Sequence, residues 1–311
     1  MALWRAIVCG LLFLVVDLGA KQPSIACSFS IPADWAKTLM NDQATVMTLA
    51  GANTDLHTYQ PSPGDIKRLI EADLIIGIDP SVEPWLQDLV KSNNLEHKVL
   101  WIGMTWISGA GSTPCPCGDP THHPAKADDL KSASDDPHLW TDPALVEAMV
   151  NRLAARLRQM QNFDTAQLEK RRVDYVQAIR QLDQELADRF KAIPAERRRI
   201  ITHHGNLGRF ARRYGIEIIG VVLQSSTTEA ADPSARGLAR LTRLARDRDV
   251  RVIVVDRGQR APAALALARE AGLPAPLELS IDALDKPGTA ADSWPGMMRD
   301  NGRRLAEALG R

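Results

Sequence analysis

Between Thr141 and Ala192 apolar residues return every three or four positions, the spacing that lines them up on one face of an α-helix. Thr141-Asp142-Pro143 opens the pattern with an N-cap carboxylate and a proline at the first helical position, where its missing N–H is harmless. Leu145, Val146, Met149, Val150, Leu153, Leu157 and Met160 form a first stripe. Gln161-Asn162-Phe163 interrupts it, and Asp164 with Gln167 has the form of a capping box that starts a second helix. Leu168, Tyr175, Val176, Ile179, Leu182, Leu186 and Phe190 make the second stripe, which stops before Pro194. Arg172 is its one polar gap, and the aliphatic stem of that side chain can cover apolar surface. A helix over 164–192 would reach roughly 40 Å at ~1.5 Å per residue. One apolar stripe on an otherwise charged helix of that length suits a strut lying across two lobes.

On either side of the strut, short apolar runs alternate with amphipathic segments. The pattern predicts strands at 24–29, 45–49, 73–77 and 98–102, with helices at 32–41, 62–72 and 83–91 between them. Beyond the strut it predicts strands at 199–202, 216–222, 250–255 and 277–280. Helices are predicted at 206–214, 233–248, 262–271 and 293–309. Regular alternation of this kind argues for two similar α/β lobes with parallel sheets. The chain divides into an N-terminal lobe over 21–163, a connecting helix over 164–192 and a C-terminal lobe over 193–311. Residues 108–136 have no periodicity and are rich in Gly, Pro, Ser, Asp and His, which reads as a long mobile loop.

The chain has 311 residues with 38 basic and 38 acidic side chains, so no net field favours nucleic acid or an anionic membrane. Residues 1–20 differ from the rest: Arg5, an apolar run from Ala6 to Val16, then Gly19-Ala20 read as a secretory signal peptide. Lys21-Gln22-Pro23 breaks the run before any polar face develops, which argues against a buried first helix. Ser24-Ile25-Ala26-Cys27 only loosely resembles a lipidation box, and Cys27 falls in a predicted strand as a small buried residue. The reading is an exported, periplasmic protein. Once Cys9 leaves with the signal, Cys27, Cys115 and Cys117 remain, an odd number that makes no disulfide framework.

Four potential metal ligands stand in loops or at predicted strand ends: His57, His138, His204 and Asp292. In open parallel sheets ligands bind at the crevice outside the carboxyl ends of the strands, so the four could converge between the lobes. Three imidazoles and a carboxylate make a tetrahedral set suited to zinc. Singly, each has a plainer reading: a loop histidine is usually a surface or capping residue, and Asp292 could N-cap the last helix. The spacing alone therefore reaches only a potential metal site.

Longer motifs around these residues carry a resemblance. His57-Thr-Tyr-Gln-Pro-Ser-Pro-Gly-Asp65, Ala72-Asp-Leu-Ile75 and Glu83-Pro-Trp-Leu86 come first, then Asp136-Pro-His-Leu-Trp-Thr-Asp-Pro143. Thr202-His-His-Gly-Asn-Leu-Gly-Arg-Phe210 and Ala291-Asp-Ser-Trp with Met297-Met-Arg-Asp-Asn301 follow. In this order they resemble the substrate-binding proteins of zinc and manganese ABC importers, from about Ser24 to the C-terminus. The resemblance implies two four-stranded lobes, a rigid connecting helix and a metal ion in the interlobe cleft. It implies His57, His138, His204 and Asp292 as ligands, with His203 a second choice for the third. That third ligand precedes a glycine by four residues and an aromatic by six, which selects His204 with Gly208 and Phe210. Gly205 and Asn206 depart from the usual acidic-small pair after that ligand, and Gly296 and Asp300 depart in the final helix.

Relatives that handle manganese tend to have a carboxylate as third ligand, so a histidine there implies zinc, hard ions preferring oxygen donors. The loop 108–136, with Cys115, Cys117, His122, His123, Asp128 and Asp129, resembles a shortened His-rich loop of zinc-importing relatives. It could capture the ion transiently, dock a periplasmic zinc chaperone, or be a solvated loop. The reading is a monomeric carrier that delivers Zn2+ to the membrane permease of an ABC importer, without catalysis. Binding needs neutral imidazoles, so affinity should fall as pH drops through the ordinary histidine range, ~6.5. The alternatives are a manganese- or iron-binding member of the same family, a metal-sequestering or adhesion protein of the same fold, and a zinc-dependent hydrolase. Against the hydrolase, no HExxH motif occurs and no glutamate accompanies the four residues.

Overall fold

The computed structural model describes residues 22–103, 136–223 and 233–311. The expected signal segment 1–20 and the loop residues Cys115, Cys117, His122, His123, Asp128 and Asp129 lie outside the described residues.

The first lobe runs β1 (Ser24–Phe29), α1 (Ser30–Met40), β2 (Thr45–Ala50), α2 (Pro63–Glu71), β3 (Leu74–Gly77), α3 (Pro84–Ser92) and β4 (Val99–Trp101). Its four strands are all parallel, in the order β2-β1-β3-β4. The second lobe runs β5 (Arg199–Thr202), α6 (Gly208–Arg213), β6 (Glu217–Val221), α7 (Ala235–Asp247), β7 (Val252–Asp256), α8 (Pro262–Ala271), β8 (Leu277–Leu279) and α9 (Trp294–Gly310). It repeats the same parallel order as β6-β5-β7-β8. Two helices join the lobes, α4 (Pro143–Leu157) and α5 (Thr165–Lys191). Among the described residues no helix is long and apolar enough to cross a membrane.

Strand residues alternate between faces, and the core divides accordingly. Ile25, Cys27, Phe29, Leu74 and Ile76 face one continuous core that also takes Ile200 and Val254 from the second sheet. Ala26, Leu49 and Ile75 face a separate cluster under α2 and α3, while Ile201, Ile253 and Val255 face a third under α7 and α8. Cys27 thus belongs to the central core, where burial pushes its thiol well above the usual range.

The second apolar stripe forms the spine of that central core: Leu168, Ile179, Leu182, Leu186 and Phe190 are all buried. Burying each such side chain contributes about 2 kcal/mol. The helix packs against α1 and α4 on one side and α9 on the other. Gly302 of α9 is what lets the two helices touch, since a Cβ there would collide with Leu186. Asp142 caps α4 through Ala144 N (2.9 Å), and Asp164 caps α5 through Ala166 N (2.9 Å) and Gln167 N (3.2 Å). The reciprocal half of the expected capping box goes elsewhere: the Asp164 N–H donates to Gln43 Oε1 (2.7 Å), so a side chain from the turn after α1 replaces Gln167.

Candidate metal centre

Each clustered side chain is set by local hydrogen bonding. His57 lies in the loop that leaves β2, where Asp55 Oδ1 accepts its N–H (2.9 Å) in a side-chain turn. Trp85, at the start of α3, donates Nε1–H to Leu56 O (3.1 Å) and holds the preceding peptide. His138 follows Asp136-Pro137, and Asp136 Oδ1 accepts from both its backbone N–H (2.9 Å) and its ring Nδ1 (2.7 Å). Asp136 is itself gripped by the other lobe: Arg209 N donates to its Oδ2 (3.2 Å) and Arg209 Nε to its carbonyl (2.7 Å). Gly208 permits that approach, since a Cβ there would lie 2.9 Å from Asp136 Oδ2.

His204 stands two residues beyond β5. His203 still belongs to the sheet, donating to Val254 O (2.8 Å) and accepting from Leu223 N (2.8 Å), and the chain then turns so that His204 enters the cleft. Asp282 stands three residues beyond β8, where Trp140 Nε1 donates across the lobes to Ile281 O (2.8 Å). Trp294 Nε1 in turn donates to Trp140 O (2.8 Å), so two buried tryptophans tie both lobes to the site.

These folds bring His57, His138, His204 and Asp282 together, with one ligand atom from each all within 4.8 Å of one another. His57 Nε2 is 3.2 Å from His138 Nε2, and His204 Nε2 is 3.0 Å from Asp282 Oδ2. Asp282 lies 3.7 Å from His57 Nε2 and 3.8 Å from His138 Nε2. Tetrahedral ligands at the ~2.0–2.1 Å bond lengths of zinc sit about 3.3 Å apart, so the closest pairs of the cluster already match the spacing of one coordination shell. All four side chains are buried, at 5%, 0%, 0% and 3% exposure respectively.

Charge around the cluster sets its tautomers. Burial alone would raise Asp136, but the hydrogen bonds from His138 and the nearby Arg209 hold it below the usual carboxylate range. An ionised Asp136 can only accept, which assigns the proton of His138 to Nδ1 and leaves the Nε2 lone pair facing the cluster. His204 Nδ1 lies 3.3 Å from Asp256 Oδ2, without the alignment of a full hydrogen bond. Asp256 is pushed well above the ordinary range, first by burial and then by repulsion from Asp282. Asp282, despite its burial, is held well below that range by His138, His204 and His57. The Asn206 amide bridges the two acids, 3.0 Å from Asp256 Oδ2 and 3.2 Å from Asp282 Oδ2.

The structure brings together three of the four expected side chains and replaces the fourth. Asp292 is exposed, and its Oδ2 accepts from Gly288 N (2.9 Å) in the turn before α9, away from the histidines. The chain has by then left the strand end and meets α1 of the first lobe, where Trp294 N donates to Asp34 Oδ2 (2.9 Å). Nor does Asp292 cap α9, whose N-cap is Ser293. His203 is buried beside the cluster, its ring 6.1 Å from that of His204, and is not one of the four. The strand-end rule that singled out His57 and His204 also points to Asp282, the first carboxylate after β8. Asp136 lies two residues from His138 inside the motif already singled out, whereas Asp256 and the Asn206 bridge act through contacts between distant segments.

Comparison with known proteins agrees with this architecture. The chain is 24% identical to the zinc-binding protein AdcA of Streptococcus pyogenes serotype M1 over 290 residues, which is 91% of this chain and 55% of the relative. It therefore spans about half the length of that relative. It is 24% identical to the manganese ABC transporter substrate-binding lipoprotein PsaA of Streptococcus pneumoniae, over 99% of this chain and 97% of the relative. Its fold is similar to that of the periplasmic zinc binding protein TroA from Treponema pallidum, with a TM-score of 0.78 and 24% identity over 94% of this chain and 100% of that one. The model of the family described as zinc-uptake complex component A, periplasmic (ZnuA), matches residues 25–308. That match runs from the first strand to the last helix and takes in every residue of the buried cluster; the chain belongs to the ZnuA family.

Proposed function

We propose that this protein is a carrier that binds one zinc ion through His57, His138, His204 and Asp282 and delivers it to the permease of an ABC importer. The observation that carries the reading is the convergence of three imidazole nitrogens and one carboxylate, all buried, within one coordination shell. Three nitrogens and one oxygen suit a borderline cation better than a hard one, which supports zinc over manganese. Family membership and the names of AdcA and TroA support the same choice, whereas the name of PsaA speaks for manganese.

Four protein ligands around a tetrahedral ion leave no position for a reactive water, which supports binding without catalysis. Burial of the shell means that the ion enters and leaves only when the lobes part. Bonds such as Trp140 Nε1–H to Ile281 O and Asn53 N–H to Leu284 O (3.0 Å) then have to yield. In this reading 21–163 and 193–311 are the moving lobes and 164–192 the strut between them. The leader at 1–20 exports the chain to the periplasm, where it acts as a monomer. The loop 108–136 offers His122, His123, Asp128 and Asp129 for transient capture or for docking a zinc chaperone.

The test is metal content with competitive zinc and manganese titration of the mature chain, beside His204→Ala. One tight zinc per chain, weaker manganese and loss of zinc in the variant support the carrier. Tight manganese with little effect of the substitution would favour a manganese carrier, and turnover of ester or phosphoester substrates abolished by His204→Ala would favour an enzyme.

A further inference from the structure

Asn206 is buried at 1% exposure, two residues beyond His204, at a position where the sequence departs from the pattern it otherwise resembles. Its backbone N–H donates to His204 O (3.0 Å), which closes the turn and aims its side chain under the cluster. The amide nitrogen has two hydrogens and three carboxylate oxygens within reach. One hydrogen is shared by Asp256 Oδ1 (3.2 Å) and Oδ2 (3.0 Å), and the other reaches Asp282 Oδ2 (3.2 Å).

The two oxygens of Asp282 are therefore unequal. Oδ2 receives the Asn206 amide as well as His204 Nε2, whereas Oδ1 is buried, has no hydrogen-bond partner among the described residues, and lies 3.8 Å from His138 Nε2. A metal that takes the His204 lone pair removes the His204 donor from Oδ2 but leaves Asn206 in place. Oδ1 then has both acceptor positions open, whereas Oδ2 keeps one of its two taken by Asn206.

Resting on the zinc-carrier reading above, we propose that Asn206 is a specificity-determining residue. By keeping one donor on Oδ2 it weakens that oxygen as a second metal ligand, biases Asp282 toward one-oxygen coordination through Oδ1, and so favours a four-coordinate ion over one needing five or six ligands. Tetrahedral geometry is the preference of zinc, whereas manganese favours an oxygen-rich octahedral shell that a two-oxygen carboxylate helps to complete. Asn206 itself touches no metal. It acts through Asp282, with Asp256 fixing the other side of its amide.

The test compares the full mature chain with Asn206→Ala and Asn206→Ser, using zinc and manganese competition and the visible absorption of the Co2+ form. Tetrahedral Co2+ absorbs far more strongly than five- or six-coordinate Co2+, so the spectrum reports coordination independently of affinity. The expected result is a strong tetrahedral spectrum in the wild type and a weaker one in Asn206→Ala. The zinc-to-manganese affinity ratio should fall at least about tenfold in that variant, or about 1.4 kcal/mol. Asn206→Ser, keeping one donor, should fall between. A five- or six-coordinate wild-type spectrum overturns the proposal even if neither variant folds. An unchanged ratio and spectrum in folded Asn206→Ala also overturns it, while tight zinc binding by the wild type leaves the carrier intact. A wild type that binds neither zinc nor Co2+ overturns both.

Discussion

His57 and His204 reach the same buried cluster from opposite lobes, yet they are held in different ways. His204 stands just past a central strand with Asp282 at its Nε2, while its Nδ1 has no hydrogen-bond partner among the described residues, Asp256 lying 3.3 Å away without alignment. His57 rides on a loop, and its Nδ1 has no hydrogen-bond partner among the described residues. What positions it is backbone: the Asp55 turn and the Trp85 bond to Leu56 O. His138 differs from both, because Asp136 accepts from its ring Nδ1 and Arg209 of the second lobe holds Asp136. Of the three proposed imidazole ligands, only His138 has its outer ring nitrogen bonded to a carboxylate, while His57 is positioned through its loop backbone.

The largest test of this contrast is removal of the ligands themselves. Asp282→Ala and His204→Ala should each weaken zinc binding by more than about a hundredfold, beyond the range of outer-sphere changes. Asp292→Ala should stay within about twofold, because its carboxylate serves only the Gly288 turn. Competition titration with a chromophoric chelator reads all three. Next comes the orienting group: Asp136→Asn should cost about 10–100-fold in zinc affinity, by misorienting the His138 ring that the metal needs. Asp55→Ala should cost less than about tenfold, and equal losses at Asp55 and Asp136 would erase the distinction between the carboxylate-bonded His138 and the backbone-positioned His57.

Smaller effects are expected in the frame. Trp140→Phe strands Ile281 O without its cross-lobe donor, and should lower the stability of the metal-free protein by about 1–2 kcal/mol in urea unfolding. Glu83 is fully buried in the first lobe, where it accepts from Ile78 N (2.7 Å) and Asp79 N (3.0 Å). Burial pushes its carboxyl up from 4.5 to about 7, against those hydrogen bonds. The folded state therefore binds a proton more tightly than the unfolded chain does. Its stabilisation is complete below pH ~4.5, is lost as pH rises through ~7, and amounts to about 3 kcal/mol at most. Glu83→Gln should flatten that slope in unfolding titrations between these limits while leaving zinc affinity unchanged. A slope that persists in the variant would assign it to another group.

Much of this was legible in the chain because it is local or periodic. The stripe from Leu168 to Phe190 announced the strut, and the apolar runs of β3 and β7 announced parallel strands buried on both faces. His57, His138 and His204 could be picked out by motif and by strand end. The motif pointed to Asp292, and Asp282 carried no motif of its own, although each is a carboxylate between the last strand and the last helix. Only the path of the loop shows which of them stays at the cleft. The grip of Arg209 on Asp136 and the Asn206 bridge to Asp256 and Asp282 were invisible for a related reason. The residues they join lie 73, 50 and 76 positions apart, a separation that no pattern within one segment reports.

The most direct test of the four-residue shell is zinc-edge X-ray absorption on mature protein loaded with one equivalent of zinc. The account predicts four light-atom ligands at about 2.0–2.1 Å, three with the outer scattering of imidazole and one oxygen. A sulfur ligand at about 2.3 Å, or a shell of five or six oxygens and nitrogens, would contradict it.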